Sequence, residues 1–293
     1  MLNTARHALG PVGVSLPGSL TASPSADVQR AAVCRLEHAG YSTVWTNELL
    51  GKDAFVQLGM LLAETERMVF GTCIANIWAR PAQTMHAAAA QLAEAYPGRI
   101  SVGLGVGYPE QAASVGKEFG RPLATMRGYL EQMDSPTWPP APDADYPRII
   151  AANAPKMLAL AGEIADGALP AMLPAEFTAQ ARHVLGPDKL LVVGLPTILD
   201  SDSDRAKAAA REQVSGQFGL PGYAARIASL GYGDQLTDRL VDAIVAHGDP
   251  TAISARVREH LDAGADHVTI LPPLGSDFAT GIDQLERLAP ALV

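Results

Sequence analysis

The sequence has few cysteines, few positive charges and no long apolar run, and each shortage excludes a class of protein. Cys34 and Cys73 are the only cysteines, and no two histidines follow the His-x-x-x-His spacing, so neither a disulfide framework nor a metal site is predicted. The formal net charge of -9 argues against a broad nucleic-acid surface. No apolar run approaches the roughly 18 residues of a membrane span, and residues 1–10 lack the apolar core of a signal peptide. We therefore expect a cytoplasmic protein without nucleic-acid or membrane partners.

The remaining composition is that of an ordinary globular enzyme. Hydrophobic residues make up 48% of the 293 residues, and charged residues make up 18%. Apolar runs of strand length alternate along the chain with helical patterns. The predicted strands are 12–16, 42–45, 68–74, 100–106, 148–152, 166–170, 190–198 and 267–271. The first predicted helix is capped by Ser25 or Asp27. The others are 54–64, 81–95, 121–133, 155–164, 175–184 and 282–288, and several shorter helices are predicted within 204–261.

This alternation predicts the fold class. Eight strands, each followed by helix, over about 250 residues or more are typical of an α/β protein of the (β/α)₈ TIM-barrel type. A doubly wound open sheet is the alternative. The proline-rich stretch 135–147 is interpreted as a loop because the alternation resumes unchanged after it. Residues 1–293 are therefore expected to form a single domain.

The fourth predicted strand carries an unusual run of glycines. Apolar residues occupy alternate positions from Ile100 to Val106, and Gly103, Gly105 and Gly107 occupy the others, so one face of the strand lacks side chains. A flat cofactor could lie on that face, or the glycines could simply make room for neighbouring side chains. The run does not match the Gly-x-Gly-x-x-Gly dinucleotide fingerprint.

Polar residues follow several predicted strands, and in a barrel of this type the site forms at the carboxyl ends of the strands. Glu48 follows the second strand among aromatic neighbours, which suits an acid, a base or a surface loop residue. Asn76, beside Trp78, could bond a polar ring or close a turn. The fifth strand leads through residues 153–156 into a helix whose free N–H groups would receive a phosphate, although Asn153 could also be its N-cap. Since nothing resembles a Ser-His-Asp triad, a bound cofactor is expected to supply the chemistry.

Several motifs in order resemble the bacterial luciferase-like barrel family. They are residues 71–81 (GTCIANIWARP), 97–99 (PGR) leading to 103–107 (GLGVG), 154–162 (APKMLALAG) with 165–167 (ADG), and 248–250 (GDP) with 257–268 (VREHLDAGADHV). Within the family the sequence is most similar to the actinobacterial branch that uses coenzyme F420. The resemblance implies a TIM barrel and hydride transfer at the deazaflavin ring of F420. It also implies a cis peptide bond between Cys73 and Ile74.

The sequence departs from that branch at two positions. Asn47-Glu48 stands where the deazaflavin dehydrogenases carry Asp-His, and Tyr108 stands where they carry a glutamate, with Glu110 close by. These departures argue against transferring the sugar-phosphate oxidation of the best-known relatives to this chain.

The residues and the resemblance together predict a site. The predicted catalytic residues are Glu48, Asn47, Tyr108 and Trp78. The predicted cofactor contacts are Cys73, Ile74, Asn76, Gly105, Val106, Gly107, Asn153, Ala154, Pro155 and Lys156. The expected function is an F420-dependent oxidoreductase acting on a small organic substrate. An FMN-dependent monooxygenase and a non-catalytic cofactor-binding barrel are the alternatives, and the oligomeric state is left open between a monomer and a homodimer.

Overall fold

Nine β-strands run through the part of the chain that the computed structural model describes, which comprises residues 2–18, 23–49, 51–219 and 222–293. They are β1 (Val12–Ser15), β2 (Thr43–Thr46), β3 (Val69–Asn76), β4 (Ile100–Gly105), β5 (Arg148–Ile150), β6 (Gly167–Ala168), β7 (Leu190–Leu199), β8 (Ala246–Gly248) and β9 (His267–Leu271). Apart from β8, each overlaps a predicted strand. Most are buried along their whole length, as expected for parallel strands that are covered on both faces.

Eight of these described strands close into a parallel barrel. Neighbours pair in the order β1-β2-β3-β4-β5-β6-β7-β9, and β9 returns to β1 with Val12 opposite Val268. The pairing of β6 with β7, with Gly167 opposite Leu190, closes the ring. The TIM-barrel prediction is therefore confirmed and the open-sheet alternative is wrong. The short strand β8 lies outside the ring and pairs with the carboxyl end of β7.

Helices surround the barrel. They are α1 (Leu2–Leu9), α2 (Ala26–His38), α3 (Ala54–Leu62), α4 (Ala82–Ala95), α5 (Pro109–Ser114), α6 (Pro122–Met133), α7 (Pro155–Ile164), α8 (Ala175–Leu185), α9 (Ser203–Phe218), α10 (Tyr223–Ser229), α11 (Asp238–Ile244), α12 (Pro250–Asp262) and α13 (Phe278–Leu292). Ser25 caps α2, as one of the two predicted caps, by accepting a hydrogen bond from the Val28 amide. Within the described ranges, no helix has both the length and the apolar character that a membrane crossing requires.

Helix α1 was not predicted, and it covers the amino ends of the strands. Its last residue, Leu9, packs into a small cluster inside the barrel that is separate from the large core between strands and helices. The carbonyl oxygen of Leu9 accepts a hydrogen bond of 2.7 Å from Thr43 Oγ1 at the start of β2. Helix α1 thus closes the barrel interior at this end, although a cavity of about 440 Å³ lined by Leu9, Val69 and Ile100 remains beside it.

A buried histidine lies in the barrel interior. His267 is fully buried, and its Nε2 accepts a 2.9 Å hydrogen bond from the Trp45 indole. Its Nδ1 lies 2.8 Å from the Gly10 carbonyl oxygen, so the neutral ring carries its proton on Nδ1. Burial lowers the pKa of His267 to about 4.

Candidate functional site

A cavity of about 620 Å³ opens at the carboxyl ends of the barrel strands, and we call it the mouth cavity. Most of its walls are apolar. Its lining residues are Ser15, Leu16, Gly18, Asn47, Cys73, Ile74, Ala151, Asn153, Leu169, Ala171, Met172, Pro196, Ile198, Leu271, Pro272, Pro273 and Leu274, together with Ala209, Glu212, Gln213 and Gln217 of α9. Its volume and lining are those of a small-molecule site. Among the predicted site residues, Asn47, Cys73, Ile74 and Asn153 meet here.

One wall of the mouth cavity is an irregular, bulge-like stretch within strand β3. The pairing of β3 with β4 shifts register between Thr72 and Ala75, and both residues inside the shift line the cavity. The peptide bond between Cys73 and Ile74 is cis, as the resemblance implied. Burial raises the pKa of the Cys73 thiol to about 12, which favours the protonated thiol at neutral pH.

The glycines of β4 make room for this irregular stretch. A Cβ added at Gly103 would lie 2.1 Å from the Thr72 carbonyl oxygen, and one added at Gly105 would lie 2.5 Å from Ile74 Cδ1. The face without side chains is therefore occupied by β3, which favours the packing alternative. Gly105, Val106 and Gly107 do not line the mouth cavity.

Glu48 belongs to a buried ion pair. Its Oε1 accepts hydrogen bonds from the Ala54 amide at 3.0 Å and from Arg80 Nη2. Its Oε2 accepts from the Asn76 amide at 2.9 Å and from Arg80 Nη1 at 3.0 Å. The side chains of Glu48 and Arg80 are only 2% and 9% exposed. Each carboxylate oxygen of Glu48 thus accepts hydrogen bonds from two donors. Neither Glu48 nor Arg80 lines the mouth cavity.

A second cavity, of about 440 Å³, lies beside the mouth cavity and is lined by Glu48, Asn76 and Trp78; we call it the side cavity. The Asn76 side-chain oxygen accepts a 3.0 Å hydrogen bond from the Trp78 amide, so Asn76 closes a turn, as in one of its two predicted roles. The Trp78 indole donates to the Val106 carbonyl oxygen at 2.7 Å. Tyr108 is 51% exposed and lines neither cavity. The structure therefore divides the predicted catalytic residues between different surroundings.

Asn47 is the predicted catalytic residue that reaches the mouth cavity. Its Oδ1 accepts a 3.1 Å hydrogen bond from Lys52 Nζ, which also donates to Thr46 Oγ1 at 2.7 Å. The Asn47 amide nitrogen lies beside Gly18, another lining residue of the cavity. Burial lowers the pKa of Lys52 to about 8, although the charge of Glu48 opposes this shift. Lys52 thereby holds the Asn47 oxygen, and no described residue accepts a hydrogen bond from the side-chain N–H groups of Asn47.

The start of α7 has the geometry expected of an anion site. Ala154, not Asn153, is the N-cap, and no side chain caps the helix. Asn153 Oδ1 instead accepts a 2.9 Å hydrogen bond from the Ala171 amide, and both residues line the mouth cavity. Pro155 has no amide N–H, and the Met157 and Leu158 amides donate to the Ala154 carbonyl oxygen. Among the described residues of this first turn, the Lys156 amide is therefore the N–H group left for an anionic group. Ala154, Pro155 and Lys156 lie outside the lining of the mouth cavity, and Lys156 is exposed.

Two features of the cavity wall were not predicted from the sequence. Met172 has a positive φ of 60°, which is unfavourable for a residue with a side chain. Its backbone is held there by its own amide, which donates to the Gly194 carbonyl oxygen, and by Tyr223, whose hydroxyl donates to its carbonyl oxygen. The contribution of α9 was also missed, because polar residues that face a cavity look in a sequence like residues that face solvent.

The sequence profile of the luciferase-like monooxygenase family matches residues 12–267. The chain belongs to this family. A 5,10-methylenetetrahydromethanopterin reductase of Methanolobus tindarius is 28% identical over 287 residues, covering 82% of this chain and 88% of the relative. A Mycobacterium tuberculosis protein, provisionally named a coenzyme F420-dependent oxidoreductase, is 31% identical over 170 residues, which are 47% of this chain and 49% of that protein.

The fold is shared with solved structures. The structure of an F420-dependent secondary alcohol dehydrogenase in complex with an F420-acetone adduct superposes with a TM-score of 0.76. The match covers 97% of this chain and 99% of that chain, with 18% sequence identity. At this identity the comparison establishes the barrel fold.

Proposed function

We propose that this protein is a coenzyme F420-dependent oxidoreductase that acts on a small organic substrate at the mouth cavity. The observation that carries the proposal is a largely apolar cavity whose described lining contains no group placed for covalent or metal chemistry. F420, when bound, supplies hydride transfer at its deazaflavin ring. The sequence relationships to a methanopterin reductase and to an F420-dependent oxidoreductase support this cofactor.

The residues at the mouth fit such a cofactor. The cavity offers a mostly apolar enclosure bounded by Cys73 and Ile74 on β3, which suits a ring system. Just outside it, the uncapped start of α7 at residues 154–156 suits the phosphate of the same molecule. The amide N–H groups of Asn47 are placed to orient the ring or the substrate.

Glu48 acts in this proposal as a positioning residue. Its carboxylate accepts hydrogen bonds from the backbone amides of Ala54 and Asn76, and these bonds join the start of α3 to the end of β3. Its ion pair with Arg80 holds the loop after β3 in place. A cytoplasmic location remains a prediction of the same proposal, and the oligomeric state stays open between a monomer and a homodimer.

The test is a direct comparison of cofactor affinities. Titration of the purified protein with F420 and with FMN, followed by fluorescence, is expected to give a dissociation constant at least about tenfold lower for F420. If FMN binds as tightly, the flavin monooxygenase is the better assignment. If neither cofactor binds below roughly millimolar concentration, the assignment to an oxidoreductase fails.

A matched pair of variants tests the phosphate position. Ala154→Glu adds a carboxylate at the start of α7, where it would repel a phosphate, and F420 affinity should fall by about tenfold or more. Ala159→Glu makes the same change at an exposed position of the same helix and should leave the affinity unchanged. Equal affinities for the two variants would show that the phosphate binds elsewhere.

A further inference from the structure

The side-chain amide of Asn47 lies between a cation and the mouth cavity. Lys52 Nζ donates a 3.1 Å hydrogen bond to Asn47 Oδ1. Because an ammonium group can only donate, the amide oxygen faces Lys52 and the NH₂ group faces away from it. On that side, a Cβ added at Gly18 would lie 3.7 Å from Asn47 Nδ2 and 3.5 Å from Leu274 Cδ2. Gly18 and Leu274 line the mouth cavity and Lys52 does not, so the NH₂ group is turned toward this cavity.

The NH₂ group of Asn47 is also accessible. Asn47 is half-buried, and no described residue accepts a hydrogen bond from its Nδ2. This nitrogen is nevertheless not among the described side-chain atoms that are both buried and without a partner. A molecule in the mouth cavity can therefore reach these N–H groups with a hydrogen-bond acceptor.

Lys52 holds Asn47 with a charge that no neighbouring carboxylate neutralises. The carboxylates nearest to it in the chain, Glu48 and Asp53, both pair with Arg80. Burial lowers the pKa of Lys52 to about 8, so the ammonium form still predominates at pH 7. Its hydrogen bond to the amide oxygen is therefore charge-assisted, which makes it stronger than a bond between neutral groups.

A chain of hydrogen bonds fixes Lys52 in turn. The Thr46 hydroxyl donates to Gln57 Oε1 at 2.7 Å, so Thr46 Oγ1 is left to accept from Lys52 Nζ, also at 2.7 Å. Gln57 Nε2 donates to Gln29 Oε1 at 2.6 Å, and Gln29 Nε2 donates to the Pro24 carbonyl oxygen at 2.8 Å. Because that carbonyl can only accept, the direction of every bond back to the ammonium group is determined.

We propose that Lys52 is a positioning residue that holds the N–H groups of Asn47 toward the mouth cavity, so that the cavity selects a molecule with a hydrogen-bond acceptor at that point. The acceptor is an oxygen or a ring nitrogen, and it belongs either to the cofactor or to the substrate. The inference deepens the proposed function and rests on it for the identity of the bound molecules. The orientation of the Asn47 amide does not depend on F420.

The orientation is tested by NMR on protein labelled with ¹⁵N-asparagine. The chain has four asparagines, which are Asn3, Asn47, Asn76 and Asn153. The side-chain protons of Asn47 should show a cross-peak to the α protons of Gly18, and Lys52→Met should weaken it because either orientation of the amide is then possible. The signals of Asn153 should not change, because a backbone amide holds its oxygen. Cross-peaks from the Asn47 NH₂ to Lys52 and not to Gly18 in the wild type would overturn the proposal.

The selection of an acceptor is tested with two neutral aromatic compounds. N,N-dimethylbenzamide has a carbonyl acceptor and no donor, and indole has an N–H donor and no strong acceptor. The ratio of their dissociation constants would be measured by ligand-observed NMR for each variant, which cancels differences in their apolar parts. Lys52→Met should reduce the preference for the amide over indole by about fivefold. Lys117→Met, at an exposed lysine outside both cavities, is the matched control and should leave the ratio unchanged.

Asn47→Asp is a second variant that keeps the bond to Lys52. Its carboxylate still offers one oxygen to the ammonium group, but it places the other oxygen where the NH₂ group was. The preference should therefore move toward indole by more than in Lys52→Met, while the thermal midpoint stays close to that of the wild type. An unchanged ratio in both variants would refute the role of Lys52, and so would the absence of binding of either compound at roughly millimolar concentration.

A final comparison identifies the source of the acceptor. The same titrations are repeated with saturating F420, after F420 binding has been measured by itself. Displacement of N,N-dimethylbenzamide by F420 would assign the acceptor to the cofactor, and binding of both together would assign it to the substrate. If F420 does not bind, the proposed function fails, whereas the ratio of the two aromatic compounds still tests the role of Lys52.

Discussion

Replacement of Glu48 by glutamine separates a positioning role from a catalytic one. In the structure the carboxylate accepts two hydrogen bonds from Arg80 and one each from the amides of Ala54 and Asn76. Glutamine keeps one oxygen but turns an NH₂ group toward groups that are themselves donors. Glu48→Gln therefore leaves Arg80 buried beside a neutral side chain and at least one donor unpaired.

The magnitude follows from the burial of the pair. Removing one partner of a buried ion pair costs about 3 to 5 kcal/mol. The lower end applies here because Asp53 remains 2.8 Å from Arg80, with its own side chain 48% exposed. For a protein of this size, about 3 kcal/mol lowers the thermal midpoint by roughly 6 to 12 °C.

The assay is thermal unfolding by circular dichroism, together with turnover and F420 affinity at a temperature where the variant is folded. Glu163→Gln is the control, because the ion pair of Glu163 with Arg127 is exposed and its loss should leave the midpoint unchanged. A catalytic acid or base would behave differently, with turnover lower by about 10² to 10⁴ and an unchanged midpoint. That second pattern would refute the positioning role of Glu48.

Two further predictions concern stability. His260 and His267 are buried with pKa values of about 4, below the ordinary 6.5, so the unfolded chain binds more protons between these values. The free energy of unfolding should therefore fall as the pH falls from 6.5 to 4, by up to about 3 kcal/mol for each histidine. Urea unfolding of the wild type and of His267→Gln at several pH values would show whether this dependence on pH comes from the His267 ring. Gly103→Ala should destabilise the protein by at least about 2 kcal/mol, because the new Cβ would overlap the Thr72 carbonyl oxygen. Gly128→Ala in α6 is the control: its Cβ would meet open space, so the change should be neutral or stabilising by up to about 1 kcal/mol. Equal unfolding midpoints for the two alanine variants would contradict this account of the β4 glycines.

The barrel could be predicted because its signals are local. Each parallel strand is a short apolar run between turn residues, and each helix has its own apolar stripe, so neither depends on distant partners for recognition. Elements with weaker signals were missed. Strand β8 has three residues and α1 has eight, so each is too short to show a clear repeating pattern.

The candidate site was predicted only in part. The rule that barrel sites form at the carboxyl ends of strands correctly indicated Asn47, Cys73, Ile74 and Asn153 as neighbours. The sequence did not indicate that Glu48 faces away from them, because its partner Arg80 lies 32 residues further along the chain.

The sequence by itself determined the order of strands and helices, the expected site at their carboxyl ends, and the membership of the luciferase-like family, because these follow from local patterns and from motifs in order. Tertiary structure alone decided which side chains share a cavity. The irregular stretch of β3 fills the space beside Gly103 and Gly105, and α9 brings Gln213 over the mouth. Such contacts join residues that are far apart in the chain, so they depend on the register of neighbouring strands and on the packing of helices across them, which no local pattern records.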